Sequence, residues 1–141
     1  IEALMTTLFD LFVQHPEYVS LLNSENLNRA RHIARSSRIR SLQSPLLAML
    51  ARLLQRGVDI GAFRPGIDPL QLYLSIASLC YFYVSNRFTL SVIFDRDLMA
   101  PNARQARLRH ITELVLAFLE RRPASESDPA SPVASADPAD R

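Results

Sequence analysis

The chain has one cysteine among its 141 residues and no lysine. A lone thiol, Cys80, excludes a disulfide framework and a zinc site built on paired cysteines, and it fits a reducing, cytoplasmic setting. All 16 basic residues are arginine, a usage that a GC-rich genome produces and that carries no functional weight. The three glycines fall between Gly57 and Gly66, and the chain contains no glycine-rich phosphate loop, HExxH zinc motif or GxSxG nucleophile elbow. His15, His32 and His110 are far apart in sequence. Catalysis has little support, so no enzyme and no cofactor is expected. The opening stretch, IEALMTTLFDLFV, has no basic region before its apolar residues and does not read as a secretory signal. It begins in the middle of a helical pattern, as a fragment would whose start lies upstream. The longest apolar run, Leu70 to Val84, is interrupted only by Gln71, Ser75 and Ser78, and falls short of the roughly 20 residues that a bilayer span requires. No membrane partner is expected.

What is present suits one domain of ordinary size. Apolar residues make up 48% of the chain and charged residues 21%, enough to bury roughly two thirds of the unfolded surface. The formal charge of +2 conceals an asymmetry, since residues 1–122 carry +5 and residues 123–141 carry −3. From Pro123 the composition turns to Pro, Ala, Ser and Asp without aromatics. Such a segment cannot bury enough surface to offset its ordering entropy, so 123–141 reads as a disordered acidic tail and 1–122 as the domain.

Within the domain no segment alternates convincingly with period two, and the expected fold class is all-α, a bundle of five to six helices. Leu4, Leu8, Leu11 and Phe12 form the stripe of a first helix that Pro16 stops after His15. Glu17 to Leu42 is weakly patterned, with a short helix around Tyr18, Leu21 and Leu22 and an Arg-rich helix from Leu27 onward. Ser44 then reads as an N-cap, with Pro45 at the first position of a helix that buries Leu46, Leu47, Leu50, Leu53 and Leu54 and runs to about Ile60. Gly61 is well placed to end it in a left-handed conformation. Asp68, Pro69 and Gln71 carry the start signals of a long helix predicted from Asp68 to Phe94. It is apolar around nearly its whole circumference and needs cover on two sides. A closing helix from about Asn102 to Arg122 carries Leu108, Ile111, Leu114, Val115, Phe118 and Leu119 on one stripe.

Three features invite a functional reading. Arg29, Arg31, Arg35, Arg38 and Arg40 fall within RARHIARSSRIR, but neither a groove-entering element nor stacking aromatics accompany them. A solvated face, or a surface toward a neighbouring domain, therefore outweighs nucleic-acid binding. The aromatics Phe9, Phe12, Tyr73, Tyr81, Phe82 and Tyr83 suit a core, an interface or the walls of a small-molecule cavity, with Asn23, Asn26 and His32 as nearby polar anchors. On the long helix Gln71, Ser75, Ser78, Phe82, Ser85 and Thr89 recur every three or four residues, mostly small, and would let a second helix approach closely.

The succession of HPE (His15 to Glu17), GVDIGAFRPGIDP (Gly57 to Pro69), SLCYFYVSNRFTLS (Ser78 to Ser91) and an amphipathic closing helix resembles the C-terminal domain of TetR-family transcriptional regulators. The resemblance covers about residues 1–121. It implies an effector-sensing and dimerising domain whose DNA-binding helix-turn-helix would precede Ile1, and a repressor, as most of the family are. Operator DNA would be contacted only through that missing domain. The effector would be small and hydrophobic or aromatic, and its pocket would draw on Phe9, Phe12, Leu22, Asn23, Asn26, His32, Leu50, Leu54, Tyr73, Cys80 and Tyr81. A homodimer with a four-helix interface would use Ser75, Ser78, Phe82, Ser85, Thr89, Ile111, Leu114, Val115 and Phe118. Arg31, Arg35 and Arg38 would relay the signal toward the DNA-binding domain. The alternative is a helical interaction or dimerisation module without a small-molecule ligand.

Overall fold

The computed structural model of the chain describes residues 1–120, with the backbone alone described over 37–44. The predicted tail, 123–141, lies outside the described residues. Six α-helices follow in order: α1 (Glu2–Gln14), α2 (Pro16–Leu27), α3 (Ser37–Asp59), α4 (Pro69–Ser85), α5 (Arg87–Ile93) and α6 (Pro101–Leu119), with a 3₁₀ turn at Ile33–Arg35. Among the described residues there is no strand, only an isolated bridge between Phe63 and Glu120. The fold is all-α, and none of these helices is long and apolar enough to cross a membrane.

Local chemistry sets several boundaries where the pattern places them. Pro16 follows the last bond of α1, His15 N–H to Leu11 C=O at 3.0 Å, and opens α2 at once. The carboxylate of Asp68 accepts the Leu70 N–H at 2.7 Å, and Pro69 takes the first position of α4. At the end of α3 the Ala62 N–H reaches Gly57 C=O (2.9 Å) and the Gly61 N–H reaches Val58 C=O (2.9 Å), the bond pair of a Schellman motif. Gly61 has φ +75° there, which a residue without a Cβ adopts at no steric cost.

Two boundaries depart from the pattern. Ser44 and Pro45 do not start a helix, because α3 already runs from Ser37 with Pro45 inside it. Proline's fixed φ is helical, and although it forfeits one backbone bond and its ring crowds the preceding carbonyl, the helix continues through it. The Arg-rich stretch accordingly divides into a turn, the 3₁₀ segment and the first part of α3. The long helix expected from Asp68 to Phe94 breaks at Asn86, whose backbone sits at φ −101° and ψ 12°. The Asn86 amide side chain donates to Phe82 C=O (2.9 Å) and the Arg87 guanidinium to Val84 C=O (2.9 Å), capping α4 so that α5 starts as a separate helix.

At the centre lies α4, in contact with α1, α2, α3 and α6. Leu72, Ile76, Cys80, Tyr83 and Val84 are its buried residues, packed with Met5 and Phe9 of α1, Leu50 of α3 and Ile111 of α6. Loop 60–68 is tied to α6 by the Arg64 N–H on Leu119 C=O (2.9 Å) and by the Arg64 guanidinium 3.9 Å from the centre of the Phe118 ring. Other apolar side chains of α4, Leu70, Leu74 and Phe82, remain outward.

Candidate functional site

Pro16 folds α2 back against α1, and both helices pack on α4, which brings three aromatic side chains together. Phe12 meets the Tyr81 ring edge-on at 5.4 Å between centroids and lies nearly parallel to Tyr18 at 6.1 Å. The Tyr81 hydroxyl donates to Asn23 Oδ1 (2.5 Å), and Asn23 Nδ2 donates to Ser85 Oγ at 3.2 Å. A polar bridge thus joins α2 to α4 at the edge of the aromatic group. Burial, followed by the nearby Tyr18, raises the Tyr73 hydroxyl above its ordinary range. Phe12 is buried behind the group, and the partly exposed Tyr18 and Tyr81 rings beside an amide and two hydroxyls can stack on a flat apolar molecule and orient one polar group on it.

Of the residues expected around an effector, Phe12, Asn23 and Tyr81 come together here, and Tyr73 lies half-buried on α4. Phe9 packs instead on Tyr83, with 6.0 Å between ring centroids. Leu50, Leu54 and Cys80 are core residues and Leu22 packs against that core. Burial pushes the Cys80 thiol up to about 11, so it is no nucleophile near neutrality. Asn26 and His32 are exposed, and the His32 imidazole faces Glu25. Sequence reasoning passed over Tyr18 and Glu25, and it did not foresee the contact of Ser85 with Asn23. Glu25 had no apolar neighbour pattern to mark it as buried.

Two open hollows lie elsewhere. One, of about 490 Å³, is lined by Ile1, Leu53, Gly57 and Phe63 among others. The second, of about 610 Å³, is lined by residues including Arg87, Phe88, Asp97 and Met99. Neither includes Phe12, Asn23, Tyr73 or Tyr81.

The expected interface residues divide. Ser75, Ser78 and Phe82 are exposed on α4, and Leu114 and Phe118 on α6. Ile111 and Val115 point into the subunit's own core at 0% and 3% exposure, which corrects their assignment to an outward face. Ser85 turns toward Asn23 of α2, and Thr89 lies beyond the helix break, exposed on α5. Arg31 and Arg35 are exposed beside the 3₁₀ turn, whereas the side chain of Arg38 lies outside the described residues.

Residues 1–115 match the family profile described as the tetracyclin repressor-like C-terminal domain. The chain belongs to this TetR family of transcriptional regulators. Over 118 residues it is 39% identical to the HTH-type transcriptional repressor NicS of Pseudomonas putida (strain KT2440), an alignment covering 84% of the chain. It spans 56% of that relative's length.

Proposed function

We propose that this chain is the effector-sensing and dimerisation domain of a TetR-type repressor inside the cell. A small aromatic or hydrophobic molecule would bind against Tyr18 and Tyr81, over the buried Phe12, and lower the operator affinity of an N-terminal DNA-binding domain. The observation that carries the sensing half is the Tyr81 to Asn23 hydrogen bond at the edge of the aromatic group. It supplies an apolar wall and a polar anchor together, the pairing that ligand sites use. Repression is supported by the printed name of the relative, a transcriptional repressor. By linkage, operator DNA must weaken effector binding by the factor by which effector weakens DNA binding.

Dimerisation is supported by the outward Leu74, Ser78 and Phe82 of α4 and Leu114 and Phe118 of α6, helices that pack on one another. Two copies meeting through these helices would form a four-helix interface in the geometry of bundles. Arg31 and Arg35, exposed at the far end of α2, would face the DNA-binding domain.

The test is a thermal-shift screen of small aromatic and aliphatic compounds. A ligand that binds only the folded state at a hundredfold excess over its dissociation constant adds about 2.7 kcal/mol. Hits that Tyr81→Phe weakens would support the site. A screen without any hit would favour an interaction module that takes no ligand.

A further inference from the structure

The last turn of α2 closes with the same bond pair as α3: Ala30 N–H to Glu25 C=O at 2.7 Å and Arg29 N–H to Asn26 C=O at 3.1 Å. Glycine serves the end of α3, but here the left-handed positions are filled by Arg29 (φ 55°) and Ala30 (φ 57°). Side chains make that region unfavourable, and two such residues in succession persist only where their surroundings over-determine them.

Besides the Ala34 N–H on Ala30 C=O (2.8 Å) and the Arg31 N–H on Asn28 C=O (3.3 Å), the surroundings are one carboxylate. Glu25 is 5% exposed, and its Oε2 accepts the amides of His32 (3.2 Å) and Ile33 (3.1 Å), while His32 Nδ1 lies 2.5 Å from Oε1. The Ile33 amide, ahead of the His32 contacts, holds this carboxyl below its ordinary range. Both ends of the strained segment are therefore fastened to Glu25, one by its backbone and the other by its side chain. Arg29, Arg31 and Arg35 point outward from this turn and make no ion pair with a described residue. Two residues before Glu25 on the same helix, Asn23 holds Tyr81 and Ser85 of α4.

We infer that the last turn of α2 is a strained latch: Glu25 keeps the arginine-bearing turn in its left-handed form, and Asn23 sets the position of Glu25 through Tyr81. A molecule that takes the Tyr81 hydroxyl from Asn23 leaves only the longer Ser85 contact to hold that turn of α2, and the strain at Arg29 and Ala30 then favours release. The trigger rests on the effector-site reading, whereas the latch does not. Glu25 acts as a positioning residue, and the bistable element is the turn itself.

Hydrogen exchange on the whole chain tests both parts. Glu25→Gln should lower protection of the His32 and Ile33 amides at least tenfold while the amides of Leu72 to Val84 keep theirs. Adding Arg29→Gly and Ala30→Gly should restore most of the loss, because the strain is gone. Unchanged protection in Glu25→Gln, or no rescue by the glycines, overturns the latch. Tyr81→Phe, with no ligand present, should lower protection of the same two amides at least threefold. If it does not, the trigger is wrong, whatever compounds the thermal-shift screen finds.

Discussion

Replacing Gly57 by alanine sets two effects of opposite sign against each other. Gly57 lies inside the last turn of α3, where alanine is intrinsically better by at most about 1 kcal/mol. A Cβ built there would stand 2.0 Å from Cδ2 and 2.6 Å from Cε2 and Cγ of Phe63, distances no packed core tolerates. Either the ring swings out or the loop moves, and the loop is fastened by the Phe63 N–H on Gly57 C=O (3.0 Å) and the Arg64 N–H on Leu119 C=O (2.9 Å). Overpacking of this kind costs about 1–3 kcal/mol, and each backbone bond lost adds about 1. The clash therefore wins, and Gly57→Ala should destabilise by about 1–3 kcal/mol net. For a domain of this size that corresponds to roughly 3–6 °C per kcal/mol in melting temperature. Urea unfolding should show a lower midpoint with unchanged slope. The control is Phe63→Ala: once the ring is removed, Gly57→Ala should become stabilising by up to about 1 kcal/mol. An alanine equally harmful in both backgrounds would refute the contact with Phe63 as the cause.

Arg29→Gly alone should stabilise the domain by up to about 1 kcal/mol in urea, since relief of the left-handed penalty exceeds the entropy that glycine adds to the unfolded chain. A loss of stability would mean that the Arg29 side chain makes contacts worth more than that strain. Asp68→Ala should cost about 1 kcal/mol by removing the cap on Leu70 N–H, and Asp68→Asn, which retains an acceptor, should cost less. The Cys80 thiol should resist a thiol reagent at pH 8 until the protein unfolds. Because its pKa rises from 9.0 to about 11 on folding, its contribution to stability is complete below pH 9 and lost as pH climbs to about 11. Stability in Cys80→Ala should fall less steeply across that window; parallel curves would place the thiol in contact with solvent.

Features governed by neighbours in sequence were legible from it. Asp68 and Pro69 start α4, Gly61 ends α3 and Pro16 separates α1 from α2 because each acts on backbone groups a few residues away. The break at Asn86 was not legible, since the side chains of Asn86 and Arg87 had to be seen turning back onto the Phe82 and Val84 carbonyls. Ile111 and Val115 share an apolar stripe with Leu114 and Phe118, and periodicity cannot say which edge the subunit keeps for itself. The aromatic group between α1, α2 and α4 was half legible. Phe12, Asn23 and Tyr81 stood out by type, while Tyr18 joined them only when α2 folded back, and the bond of Ser85 to Asn23 needed the two helices side by side. Glu25 gave no signal, because a carboxylate on a polar helix reads as solvated and the glycine that usually marks such a turn is replaced by Arg29.

The central claim is that α4 and α6 of one copy meet those of another, and sedimentation at micromolar concentration tests it most directly. The unsubstituted chain should sediment as a dimer, and Ser78→Arg, placed on the outward face of α4, should sediment as a monomer with the same helical content and an unfolding transition that remains cooperative. A chain that is monomeric without substitution, or a Ser78→Arg variant that stays dimeric, would contradict the account.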